Sequence, residues 1–111
     1  MTKSHLIESD LTRWFDSTTL ARGYRYFLDG AISQTTCNGA TLSAQCLGSR
    51  STPYRIEATL GSTGLLSDRC TCPIGGRCKH VAALLYAWLA APAAFTSLDD
   101  LGVRLVQRTP A

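Results

Sequence analysis

The chain has 111 residues, 45% of them apolar and 17% charged, with a formal net charge of +3. That is the make-up of one globular domain rather than a disordered chain, with a core small enough to be only modestly stable by itself. The apolar run Val81–Ala91 is too short for the ~20 residues of a membrane span, Met1-Thr2-Lys3-Ser4-His5 leads into no apolar leader core, and the charge falls well short of a dedicated nucleic-acid-binding domain.

Ile7, Leu11, Trp14 and Phe15 recur at helical spacing and predict a short helix over 7–15. Asp16 or Ser17 is suited to cap a second helix, whose apolar stripe of Leu20, Tyr24, Phe27 and Leu28 reads as core. Gly30 stands where a left-handed helix end is expected. Then the period changes. Asn38-Gly39 marks a hairpin between strands at about 31–37 and 40–47. Two registers are open: a two-residue turn sets Leu42 opposite Thr35, a three-residue turn sets Ile32 opposite Cys46. Cys46 shares the inward face with Leu42 and Ala44, whereas Cys37, beside the turn, is expected nearer the surface, and neither is assigned a metal. Tyr54, Ile56, Ala58 and Leu60 alternate with Arg55, Glu57 and Thr59 in a one-sided strand. Gly61 to Gly64 turn the chain into a last strand at about 65–72. Val81, Leu84, Leu85 and Trp88 then line one face of a helix that Pro92 ends near Ala91. Thr96 or Ser97, with Asp99 and Asp100, reads as the cap of a final helix to about Val106, bearing Leu98, Leu101 and Leu105; Gln107–Ala111 reads as a frayed tail. The expected fold is therefore α+β. It has a helical lead-in (1–30), an antiparallel sheet of about four strands (31–69), a metal motif with its helix (70–91), and a short helix and tail (92–111).

The chemistry concentrates between the last strand and the long helix. Cys70, Cys72, Cys78 and His80 place three thiols and one imidazole within eleven residues, the donor set of a closed tetrahedral zinc site. Side chains two apart on a strand share a face, which pairs Cys70 with Cys72. Pro73 leaves the strand, Gly75-Gly76 permit a tight reversal, and residues two apart on a helix diverge. Cys78 is thus expected just before the helix and His80 in its first turn. Four donors leave no open position for a catalytic zinc, and the Cys-x-x-Cys spacing of thioredoxin-like redox pairs is absent. Loading the site would take the net charge from +3 to +2, since three thiolates meet one Zn²⁺. Arg69, Arg77 and Lys79 crowd the motif. Their plain role is to offset thiolate charge; contact with phosphate or a partner is the alternative.

These residues carry a resemblance. Cys70-x-Cys72 and Cys78-x-His80, with Pro73 and the run Lys79-His80-Val81-Ala82-Ala83-Leu84-Leu85, resemble the SWIM zinc finger. Ala21 to Phe27, Gly30-Ala31-Ile32 and Pro53 to Ile56 are similar to the N-terminal region of bacterial SWIM proteins, so the likeness runs over about 18–91. The resemblance implies one structural zinc held by Cys70, Cys72, Cys78 and His80. It also implies contact with DNA or a protein partner, in company that includes Swi/Snf-type helicases. No helicase motif stands in this chain.

Three function classes follow from the residues and the resemblance. The first is a zinc-stabilised recognition module binding a protein partner and/or DNA; the second is a protein adaptor with no nucleic-acid role. A zinc-thiolate redox switch is the third. An enzyme is not expected. There is no G-x-x-x-x-G-K loop, no nucleophile paired with a base, and no small-molecule substrate is implied. His5 reads as a surface residue and Asp99-Asp100 as helix capping. An odd count of five cysteines suits a reducing, cytoplasmic setting, or the nucleoid for a DNA-bound protein.

Overall fold

The computed structural model describes residues 8–48, 51–61 and 64–98. A 3₁₀ turn, Glu8–Asp10, leads into a single helical turn α1, Leu11–Trp14, which seats Leu11 in the core. Helix α2 spans Ser17–Leu28. Asp16 is its cap, accepting the Thr19 N–H at 2.7 Å, which satisfies one of the orphan donors of the first turn. Gly30 follows at φ +74°, a conformation with little steric cost only for glycine.

Strands β1 (Ile32–Asn38), β2 (Thr41–Cys46), β3 (Tyr54–Gly61) and β4 (Gly64–Cys70) form the antiparallel meander the alternation predicts. A fifth strand, β5 (Thr96–Ser97), pairs parallel to β1, so the sheet is mixed and runs β4-β3-β2-β1-β5. The expected cap residues Thr96 and Ser97 lie in this strand and Leu98 follows them, exposed; the rest of the predicted final helix, with Leu101 and Leu105, falls outside the described residues. Phe95, buried against Trp88, draws the chain back to the β1 edge.

Neither proposed hairpin register holds throughout. Asn38 pairs with Thr41 and Cys37 with Leu42, so the two turn residues are Gly39 and Ala40. Ile32 nevertheless lies opposite Cys46, because a bulge between Ser33 and Thr36, with Gln34 at φ +54°, shifts the register by one. With the pairing placed there, Cys37 points inward and is buried, its sulfur 3.3 Å from the Gly39 carbonyl oxygen, contrary to the surface placement its turn position suggested.

Helix α3, Lys79–Ala90, lies between the sheet and α2. Enclosure from both sides explains why every residue from His80 to Leu85 is buried, well beyond the single stripe of Val81, Leu84 and Leu85. The two helices cross at Gly23, the one buried residue of α2. A Cβ there would lie 2.7 Å from the Ala82 Cβ and 2.8 Å from the Lys79 carbonyl oxygen. Contact through Gly23 turns the expected stripe partly outward: Tyr24 and Leu28 are exposed, while Tyr24 and Phe27 lean on Tyr86. No helix among the described residues is long and apolar enough to cross a membrane.

Candidate metal centre

Cys70 ends β4 opposite Ile56. Beyond it the ladder fails, because the Cys70 N–H turns to the Gly75 carbonyl at 2.8 Å. Cys72 therefore lies just outside the strand that was expected to deliver it. The intervening Thr71 remains tied to β3. Its N–H donates to the Arg55 carbonyl at 3.1 Å, and its Oγ1 accepts the Arg55 N–H at 3.0 Å. The loop then reverses through Gly75, at φ +90°, and Arg77, at φ +48°. Cys78 occupies the N-cap of α3 in extended geometry and His80 follows in the first turn, as the spacing predicts.

The reversal is fastened by a residue that the sequence reading passed over. Asp68, whose side chain is only 7% exposed, accepts the Arg77 backbone N–H through one carboxylate oxygen and the Arg77 Nε, at 3.0 Å, through the other. Two bonds from one carboxylate hold Arg77 in its left-handed conformation, which is costly for a non-glycine residue, and so set the approach to Cys78. A signal was present. Asp68 pairs with Ala58 on the buried face of β3, and an acid on an inward face demands a partner.

The ligand atoms of Cys70, Cys72, Cys78 and His80 all lie within 4.8 Å of one another, and all four residues are buried. Sulfur at about 2.3 Å and nitrogen at about 2.0–2.1 Å from a tetrahedral zinc require S···N edges of about 3.5 Å and S···S edges of about 3.8 Å. His80 Nδ1 lies 3.5 Å from Cys70 Sγ and 3.7 Å from Cys78 Sγ. The cluster fits one structural zinc ion, since its four donors suffice for a tetrahedral shell. His80 is seated between Tyr54 and Tyr26, ring centroids at 4.5 and 5.1 Å, with Nε2 buried and unpartnered. Nδ1 is thus the nitrogen turned to the thiols.

The electrostatics agree with this use. The Cys70 thiol, then His80 and the Val81 backbone N–H, hydrogen-bond to Cys78 and hold its sulfur well below the usual thiol range, while donating to Cys78 and burial push Cys70 up. An amide at a helix N-terminus favours a thiolate in this way. Cys46 differs: burial first, then the nearby Cys78 and Cys72 sulfurs, push its thiol up to about 11. It remains a neutral core residue, outside the metal-ligating cluster found among the described residues. All five cysteines are free of disulfides.

The three basic residues at the motif separate. Arg69 donates to Glu57 at 3.0 Å and Arg77 is bound to Asp68, so two of the three are neutralised by carboxylates. Lys79 sets its ammonium 5.7 Å from the centre of the Tyr26 ring.

A strand end, a pinned loop and a helix start thus converge on one closed sulfur–nitrogen site, the construction of a structural zinc module. The sequence profile of the SWIM zinc finger matches residues 54–89, from the start of β3 to the next-to-last residue of α3. That segment of the chain is similar to the SWIM zinc finger. Comparison with curated proteins and with solved structures gave no match.

Proposed function

We propose that this chain is a zinc-stabilised recognition module, in which Cys70, Cys72, Cys78 and His80 hold the ion and the rebuilt surface contacts a protein partner and/or DNA within a DNA-transacting, helicase-associated assembly. The observation that carries this reading is the closure of the site. With four buried donors converging the metal has structure to supply: when bound it ties the end of β4 to the start of α3, and the loop between them becomes a fixed outer surface. The DNA and helicase context comes from the resemblance of the motif to SWIM proteins. Titrating zinc-loaded protein into labelled single- and double-stranded DNA at several salt concentrations, followed by anisotropy, tests it. Binding that weakens steeply with salt supports phosphate contact; absence of binding at low salt removes the DNA half.

A second reading, a protein adaptor without a nucleic-acid role, is favoured by a specific observation. Arg69 and Arg77, two of the residues suited to phosphate, are engaged by Glu57 and Asp68. Charge reversal at Lys79, which leaves the Asp68–Arg77 bonds of the loop in place, should weaken any phosphate-dependent binding while zinc stays bound; binding that survives would take Lys79 out of the interface.

A further inference from the structure

The loop between Cys72 and Cys78 presents Ile74 to solvent at 71% exposure, the most exposed of the large apolar side chains among the described residues. A single surface isoleucine is unremarkable. This one is held in place. Its loop is fastened by Cys70 N–H to the Gly75 carbonyl, by Asp68 to Arg77, and at both ends by cysteines of the metal cluster. It borders a cleft of about 230 Å³ walled by Tyr26, Tyr54, Pro73, Ile74 and Lys79, with the cluster side chains Cys72, Cys78 and His80 completing it. Lys79 enters no ion pair among the described residues, unlike Arg69 and Arg77.

The dimensions and charge say what fits. Small-molecule sites run to about 300–1,000 Å³, so this cleft is on the scale of one or two side chains. A base-stacking platform needs a free aromatic face. Here the Lys79 ammonium lies over the Tyr26 ring, and His80 packs at 4.5 Å on Tyr54. A phosphate-tracking groove needs unneutralised cations in a row, and the flanking arginines are paired. What remains is an apolar recess with one cation at its rim, already ordered by the pinned loop, so that little entropy is lost on docking.

We infer that this cleft is a docking site for a partner protein segment that inserts an aliphatic side chain against Ile74 and Pro73 and sets a neighbouring Asp or Glu carboxylate on Lys79. The inference rests on the recognition-module reading and names the partner chemistry of that surface.

The test is selection from a displayed library of random 12-residue peptides on the zinc-loaded full chain, repeated with Ile74→Ser, Lys79→Glu and Lys79→Gln, with zinc content measured for each. Wild type should enrich peptides carrying an aliphatic residue beside Asp or Glu. Ile74→Ser should weaken the best of them at least about tenfold, as loss of a buried anchor does. Lys79→Gln should erase the acidic preference and Lys79→Glu should invert it toward Lys or Arg. Lys79→Glu puts an acid in the first turn of α3, where it suits the helix dipole; Lys79→Gln reads the same preference without a new charge. Enrichment indifferent to these substitutions in zinc-retaining protein would overturn the cleft while leaving a recognition module standing. No enrichment, with oligonucleotide binding that depends on Lys79, would overturn it in favour of a nucleic-acid contact. No peptide and no oligonucleotide bound anywhere would end both readings.

Discussion

Gly23→Ala is the change that most sharply tests how the helices support the metal site. The substitution gains about 1 kcal/mol of intrinsic helix propensity. Against that, the new Cβ would stand 2.7 Å from the Ala82 Cβ, 2.8 Å from the Lys79 carbonyl oxygen and 3.0 Å from the Ala83 nitrogen. None of the three is the tip of a flexible side chain, so the helices themselves must separate. Overpacking of this kind costs about 1–3 kcal/mol, and contact with backbone on a rigid helix places it at or beyond the upper end. A net loss of about 2 kcal/mol corresponds to a fall of roughly 8–16 °C in Tm for a domain near this size. The displaced segment contains Lys79, between Cys78 and His80, so zinc affinity should fall as well. Gly30→Ala is the control: at φ +74° it strains the backbone, but its Cβ meets nothing within 4 Å, so it should lower Tm and leave zinc affinity alone. Thermal melts followed by circular dichroism, with zinc competition against a chromophoric chelator, read both quantities. A Gly23→Ala variant as stable as wild type would refute the close crossing. Equal loss of zinc affinity in both variants would refute the link from crossing to metal.

Asp68→Asn keeps the shape but weakens the bonds to Arg77. It should cost about 1–3 kcal/mol and about 10–100-fold in zinc affinity, and unchanged chelator competition would remove Asp68 from the support of the site. Cys72→Ala should lower zinc stoichiometry and melt the domain; unchanged metal content and Tm would overturn its assignment as a ligand. Asp16→Ala should lower Tm at neutral pH through loss of the α2 cap. The Thr19 backbone N–H holds the Asp16 carboxyl below its ordinary value of 3.8. A folded-state value below the unfolded one gives stability present above that range and lost as pH falls through the lowered value. The difference between Asp16→Ala and wild type should therefore narrow in acid, and a gap independent of pH would contradict the carboxylate cap.

Much of this was legible from residue spacing, because the signals were local. The period-2 alternation at Tyr54–Leu60 gave β3 its buried face, and Cys78-x-His80 placed one donor at the cap and one in the first turn of α3. What escaped depends on partners distant in sequence. The bulge at Gln34 is fixed by pairing of β1 along its whole length, so turn chemistry at Asn38-Gly39 could not reveal the register or the burial of Cys37. Gly23 carries the helix crossing because Ala82 and Lys79 lie opposite, a relation no helical wheel of α2 contains. Strand β5 rests on contacts distant in sequence: Phe95 packs on Trp88, and Thr96 pairs with Thr36 of β1. Local sequence read Arg69 and Arg77 as offsetting thiolate charge, or as contacts for phosphate or a partner. Their carboxylate partners lie 12 and 9 residues away, across the sheet and across the loop.

The central claim is that Cys70, Cys72, Cys78 and His80 close on one zinc ion. X-ray absorption at the zinc edge, on protein loaded to saturation and with stoichiometry fixed by mass spectrometry under native conditions, tests it most directly. The account predicts one ion with three sulfurs at about 2.3 Å and one imidazole nitrogen at about 2.0–2.1 Å. A shell containing oxygen, two sulfurs in place of three, or no ion retained would contradict it.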